Sequence, residues 1–162
     1  MKFKLPLLAV ADMERAKAFY KEVLGLGVVL DFGENVTLTG GISLQTKDSW
    51  QNFIGGRSVC FGGNDAELYF EEENLDRFLE KLEGMPGVAL VHPVPPYGWG
   101  QRVVRFYDPD GHIIEVGESM RRVVLRFLES GMTVAETVEV SQHPLEFVLW
   151  CRDHPDEDPP EG

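Results

Sequence analysis

The chain has only two cysteines in 162 residues, Cys60 and Cys151, and they lie far apart. They form neither a disulfide framework nor a metal-ligand spacing, so free thiols in a reducing compartment are expected. Basic residues are also scarce. Fifteen Lys and Arg stand against 27 Asp and Glu, for a formal net charge of −12. Such a surface repels phosphates, which argues against nucleic acid and anionic membranes as partners. No run of about 18 apolar residues is present to span a bilayer. The opening Met-Lys-Phe-Lys-Leu-Pro lacks the apolar stretch of a signal peptide. A cytoplasmic protein is expected. The four histidines, His92, His112, His143 and His154, show no metal-ligand spacing. Ser43 and Cys60 have no evident base partner, so nucleophilic catalysis is unsupported.

What is present is a clear succession of short elements. Phe3 to Val10 reads as a strand. Asp12 caps a helix whose Met13, Ala16, Phe19, Tyr20, Val23 and Leu24 recur at helical spacing, and Gly25 ends it. Strands follow at Val28–Phe32, Val36–Thr39 and Ile42–Thr46. Lys47 to Gly56 is a loop or short helix, and Ser58 to Phe61 a candidate connecting strand. The order then repeats: a strand over Glu67–Glu71, a helix capped by Asn74 and ended by Gly84, a strand over Val88–Val91, a proline-rich loop from Pro93 to Gly100, and two final strands.

Those last two strands carry the most chemical information. Val103–Tyr107 and His112–Val116 are rich in β-branched and aromatic residues, and Asp108-Pro109-Asp110-Gly111 between them has the composition of a tight turn. Glu115 is the one charge in the apolar run Ile113, Ile114, Val116. A carboxylate there lies either on a wet face or on a ligand. Internal comparison supplies a candidate partner. The helix caps Asp12 and Asn74 are 62 positions apart, which aligns Glu67 with Leu5; a shift of 70 in the last strands aligns Glu115 with Gln45. The chain therefore reads as a duplicated β-α-β-β-β module.

Beyond Gly117 the composition changes. Met120, Val123, Val124, Phe127 and Leu128 follow helical spacing. Thr133-Val-Ala-Glu136 is a capping-box signature, and Pro144 suits the first turn of a third helix through about Trp150. The acidic segment from about residue 151 to the end is expected to be disordered. The helices faintly suggest a helix-turn-helix, but Glu136, Glu139 and Glu146 oppose DNA readout.

Two stretches carry a family resemblance: Val10-Ala-Asp12-Met-Glu-Arg-Ala-Lys-Ala-Phe19-Tyr20-Lys-Glu-Val-Leu24-Gly25-Leu26, and Arg105-Phe-Tyr-Asp108-Pro109-Asp110-Gly111-His112-Ile-Ile-Glu115. They resemble the vicinal oxygen chelate superfamily of glyoxalases, bleomycin- and fosfomycin-resistance proteins and extradiol dioxygenases. The resemblance implies an α+β fold of two βαβββ modules, with curved mixed sheets forming a cup, over residues 1–118 (modules about 1–56 and 57–118). A helical appendage over 119–150 would follow. It further implies four metal-ligand positions, here Leu5, Gln45, Glu67 and Glu115. Leu5 cannot coordinate, and the three remaining oxygen donors suit Mg²⁺ or Mn²⁺ better than Zn²⁺.

Glu67 and Glu115 are the candidate catalytic carboxylates, an acid/base pair if they converge. Trp50, Tyr69, Tyr97, Trp99 and Tyr107 are candidate aromatic walls, with Arg102 and Arg105 on opposite faces of their strand; the ligand-contacting set is expected among Trp50, Tyr69, Trp99, Arg102 and Arg105. The residues read as those of a binding protein for a small organic ligand, with an organic cation among the candidates, held in the cup without an intact four-ligand metal site and without a cofactor. The alternative is a glyoxalase-like lyase or isomerase using Mg, Mn, Ni or Zn on Gln45, Glu67 and Glu115. A homodimer is in keeping with related folds.

Overall fold

The computed structural model describes residues 1–93 and 100–157. Seven strands and six helices follow one another among these residues. The first group is β1 (Leu7–Val10), α1 (Met13–Leu24), β2 (Val28–Asp31), β3 (Asn35–Leu38), β4 (Ile42–Thr46) and α2 (Lys47–Phe53). The second is β5 (Glu67–Glu72), α3 (Leu75–Glu83), β6 (Val103–Tyr107) and β7 (Ile113–Glu118), followed by α4 (Met120–Glu129), α5 (Val134–Ser141) and α6 (Leu145–Asp153). The fold is α+β, with sheets ordered β1-β4-β3-β2 and β5-β7-β6.

Two compact units are present, and neither is continuous in the chain. The first comprises Met1–Leu68, Pro86–Val91 and Phe106–Ile114, and the second Tyr69–Met85, His92–Arg105 and Glu115–Gly162.

In the first unit, α1 begins where Asp12 accepts a hydrogen bond from the Arg15 N–H and ends at Gly25. Its buried Ala16, Tyr20 and Val23 lie at helical spacing, and the helix packs on β4. β1 runs parallel to β4, while β2–β3 and β3–β4 are antiparallel. Val36, Leu38, Ile42 and Leu44 are buried as the apolar side of β3 and β4. By the two-residue period of a strand, Asn35, Thr37, Ser43 and Gln45 occupy the other side. The turn Asp108–Gly111 also belongs here. Gly111 has φ +86°, and a Cβ on it would lie 3.2 Å from the Gly62 Cα, so both conformation and close approach require glycine.

Three expected strands differ. The first starts at Leu7, not Phe3: Pro6 has no N–H to donate, although its carbonyl accepts from Ser43 N–H, and Phe3 is exposed. Ser58–Phe61 is irregular. Val88–Val91 contracts to a single antiparallel bridge, Leu90 to Phe106, supported by Tyr107 N–H donating to Ala89 O. Pro86, Gly87 and Pro93 bracket that segment and prevent a longer ladder.

In the second unit, α3 is capped by Asn74 and buries Leu75, Phe78 and Leu82. Val104 and Val116 are buried with them. Helices α4, α5 and α6 pack on one another around Val124, Val148 and Cys151, with Leu128, Val134, Val138, Phe147 and Trp150 against that core. The capping box at Thr133 and Glu136 forms as the sequence predicts. Helix α6 runs to Asp153, past the expected end near Trp150. No helix among the described residues is long and apolar enough to cross a membrane.

Candidate functional site

The second sheet has one polar side, and its origin is the alternation of β7. Ile114 and Val116 point to one face, Glu115 and Gly117 to the other. Asp108 N–H donates to His112 O, and Glu118 N–H to Arg102 O. These bonds set a hairpin register in which Arg105 stands opposite Glu115. The two side chains form an ion pair. Glu115 is buried (7% exposed), while the Arg105 side chain is about one-third exposed (32%). The carboxylate that stood alone among apolar neighbours is thus matched by the cation directly across the hairpin.

Tyr69 of β5 belongs to the same face. Its hydroxyl donates to Glu71 at 2.9 Å and accepts from Gln101 Nε2 at 2.6 Å. Gln101 also donates to the Glu118 carbonyl at 2.8 Å. Burial raises the Tyr69 hydroxyl pKa, the Gln101 bond opposes this, and Glu71 and Glu115 add to it, leaving it at about 12. The phenol is therefore protonated at neutral pH.

Arg102 lies on the opposite side. It reaches Asp76 at 2.7 Å and the buried Glu118 at 3.3 Å, and Arg126 reaches the other Glu118 oxygen at 3.0 Å. Arg102 joins α3 to β7, while Arg126 ties α4 to the same carboxylate, so Arg102 does not line the face that carries Glu115.

The first unit holds a neutral counterpart. Gln45 is buried, and across the β3–β4 register stands Asn35. Asn35 Nδ2 donates to Gln45 Oε1 at 2.8 Å and to Ser43 Oγ at 3.0 Å, while Gln45 Nε2 donates to Ser49 Oγ at 2.8 Å. Both ends of the Gln45 amide are thereby engaged. Leu5 is half-buried and precedes β1, and Glu67 is exposed at the start of β5. Trp50 is half-buried on α2, and Tyr107 donates to Asn64 Oδ1 at 3.1 Å. Tyr97 and Trp99 lie outside the described residues.

The family's four-ligand metal set fits these residues poorly. Leu5 offers no donor, Gln45 Oε1 already accepts from Asn35, and Glu115 faces a guanidinium. Among the described residues no group of three or more His, Cys, Asp or Glu has the arrangement of a metal site.

A second constellation, in the first unit, is one that sequence reasoning missed. Asp108 is buried and accepts from Tyr20 Oη at 3.0 Å, from the backbone N–H groups of Asp110 and His112 at 2.9 Å each, and from His112 Nδ1 at 2.8 Å. Burial alone would raise the Asp108 pKa, but His112 and the two backbone donors outweigh it and hold the carboxyl below its usual range. Burial alone would lower the His112 pKa, but Asp108 and Asp110 hold it above its usual value. His112 is thus a partner of the turn, and its ring lies edge-on to Phe61.

This order of elements, with a mixed sheet whose first strand runs parallel to its last, is that of the vicinal oxygen chelate superfamily. The family model for the glyoxalase-like domain matches residues 3–121, and the chain belongs to that family. A protein of unknown function from Agrobacterium tumefaciens str. C58 is 40% identical, with a TM-score of 0.65 over 74% of this chain and 94% of that one. The fosfomycin resistance protein FosX from Mesorhizobium loti shares the fold at 17% identity and a TM-score of 0.55, covering 73% of this chain and 92% of its own. A glyoxalase/bleomycin resistance protein/dioxygenase from Nocardioides does so at 18% identity and a TM-score of 0.58, covering 73% and 83%. No curated protein sequence matches the chain.

Proposed function

We propose that this glyoxalase-like protein binds a small organic molecule and does so without a metal ion. The observation that carries the reading is the Arg105–Glu115 pair. A guanidinium beside the last-strand carboxylate supplies its counter-charge from within the hairpin, and a divalent cation at Glu115 would have to displace or repel Arg105. The engaged amide of Gln45 and the donor-free Leu5 point the same way. With Glu115 neutralised by Arg105, it no longer needs Glu67 as an acid/base partner, and no lyase or isomerase step is assigned to either.

The surface available for a ligand is the polar face of the second unit's sheet, where Tyr69, Gln101 and Arg105 are partly exposed. Proteins named for fosfomycin resistance and for bleomycin resistance share the fold, and fosfomycin is a small organic molecule. Metal analysis of protein purified without added metal tests the proposal. The expected content is well below one ion per chain and is unchanged by Glu115→Gln. In parallel, compounds that raise the melting temperature should do so equally in chelator. Stoichiometric metal that disappears on Glu115→Gln overturns the reading.

A further inference from the structure

Tyr69 is nearly half exposed (48%), yet its position is fixed from several sides. Gln101 holds the hydroxyl oxygen at 2.6 Å, and the hydroxyl proton goes to Glu71 at 2.9 Å. The holders are themselves held: Gln101 by the Glu118 carbonyl at 2.8 Å, and Glu71 by the Met120 N–H at 3.4 Å. Beneath them lies Gly117. A Cβ there would sit 2.7 Å from Gln101 Nε2 and 3.2 Å from Tyr69 Cε2, so the arrangement depends on a bare backbone at that point.

A tyrosine on a wet surface ordinarily keeps its hydroxyl in water and its ring mobile. Here the hydroxyl donates once and accepts once inside the protein. The ring is therefore the part of this half-exposed side chain left without a polar partner. An immobilised aromatic face turned to solvent is a preorganised contact surface, because the side-chain entropy of binding is already lost. Its charge environment selects the ligand. Donation of the phenol proton to a carboxylate enriches the ring in electron density and strengthens the negative face of its quadrupole. Glu71 and Glu115 lie around it, and of the two only Glu115 is paired with Arg105. The surroundings of the ring are thus negative overall.

We propose that the ring face of Tyr69, positioned by Gln101 and Glu71 over Gly117, is a stacking platform for an organic cation of the alkylated-ammonium class. This rests on the reading that the protein binds a small organic molecule, and it names the chemistry of that molecule. Glu71 and Gln101 are positioning residues; Tyr69 makes the contact. An alkylated ammonium suits the site because it is weakly hydrated and can rest its positively polarised alkyl groups on a π-face.

The test is calorimetric titration of the full chain with choline and with 3,3-dimethyl-1-butanol, its neutral isostere. Choline should bind more tightly by about tenfold, the range that a cation–π contact supports. Tyr69→Leu should erase that preference. Tyr69→Phe and Glu71→Gln, which keep a ring but remove the carboxylate's hold on it, should each reduce it severalfold while leaving the melting temperature near that of the parent. Equal affinities for the two probes, no binding of choline, or a preference that survives Tyr69→Leu each overturn the proposal. Failure here is separable from failure of the broader reading: melting-temperature shifts in chelator that are indifferent to Tyr69→Leu leave metal-free binding standing and remove only the platform. Stoichiometric metal at Glu115 removes the broader reading whatever choline does.

Discussion

Arg105 stands directly across the β6–β7 hairpin from Glu115, and the two form an ion pair on the polar side of the sheet. Asn35 stands in the same relation to Gln45 in the β3–β4 hairpin, with a hydrogen bond of 2.8 Å. A shift of 70 residues carries one pair onto the other. In each half of the repeat, the side chain at the last-strand ligand position is therefore engaged by its cross-strand neighbour. Cross-strand pairs are the natural unit of such coupling, since the two Cβ atoms lie about 5 Å apart.

The pair predicts strong coupling. Arg105→Leu leaves the Glu115 charge buried without its counter-ion and should cost about 2 kcal/mol. This lies below the 3–5 kcal/mol of a fully buried pair because Arg105 is partly in water. Adding Glu115→Leu removes the stranded charge and should recover a large part of that loss. A double-mutant cycle in denaturant measures the coupling, expected at about 1–2 kcal/mol. Additive effects of the two substitutions would show that the contact contributes nothing to stability.

Much of this architecture is legible in the sequence, because local rules act there without competition. Asp12 and Gly25 bound α1, Thr133 and Glu136 start α5, and Asp108-Pro109-Asp110-Gly111 makes the turn. The partner of Glu115 was within reach of the same reasoning, since a turn centred on residue 110 places 105 opposite 115. Strand alternation alone sets Arg102 and Arg105 on opposite faces and does not choose between them as the partner. The Tyr20–Asp108 bond joins residues 88 positions apart and carries no local signal. Nor does Gln101, whose role depends on a glycine on the neighbouring strand. The expected strand at Val88–Val91 had suitable residues, but flanking prolines and a glycine left room for one bridge.

The Asp108–His112 contact predicts a pH-dependent share of stability. His112 has a raised folded pKa, so its contribution is complete below its unfolded value of about 6.5 and is lost as pH rises through the folded value. Asp108 has a lowered folded pKa, so its contribution is complete above its unfolded value of about 3.9 and is lost as pH falls through the folded value. Asp110 is raised, mainly by burial, and opposes them: its ionisation costs stability above about pH 4. The melting temperature lost on His112→Gln should therefore be greatest near pH 5 and should shrink by about pH 8.5. A loss independent of pH would mean that the imidazole acts only by packing on Phe61.

Glu118 predicts how the C-terminal helices are attached. Its buried carboxylate accepts from Arg102 and Arg126, and Ser119 beside it caps α4 through the Arg122 N–H. Glu118→Gln weakens two charge-assisted bonds at once and should lower stability by about 1–3 kcal/mol. Asp76→Asn, which alters only the exposed carboxylate on Arg102, should cost under about 1 kcal/mol. Hydrogen exchange provides the structural readout, with protection in α4 falling for Glu118→Gln and holding for Asp76→Asn. Equal losses in the two variants would place the strength of the network in Arg102–Asp76 instead.

Gly117 predicts a separation of stability from recognition. A methyl group at this position collides with the Gln101 amide at 2.7 Å and crowds the Tyr69 ring at 3.2 Å. Both neighbours are side chains, and Tyr69 is already half exposed, so they can yield outward without disrupting the strand. Gly117→Ala should therefore cost only about 1 kcal/mol, part of it offset by alanine's smaller entropy loss in a strand. The Gln101–Tyr69 bond, by contrast, cannot survive at 2.6 Å with a Cβ beneath it. As the ring moves outward it loses part of the burial that is the largest cause of its raised pKa, which outweighs the loss of the opposing Gln101 bond, and spectrophotometric titration should show Tyr69 ionising at lower pH than in the parent. The preference for choline over its neutral isostere should fall in the same variant. A tyrosine titration unchanged by Gly117→Ala would show that the ring keeps its place without the bare backbone beneath it.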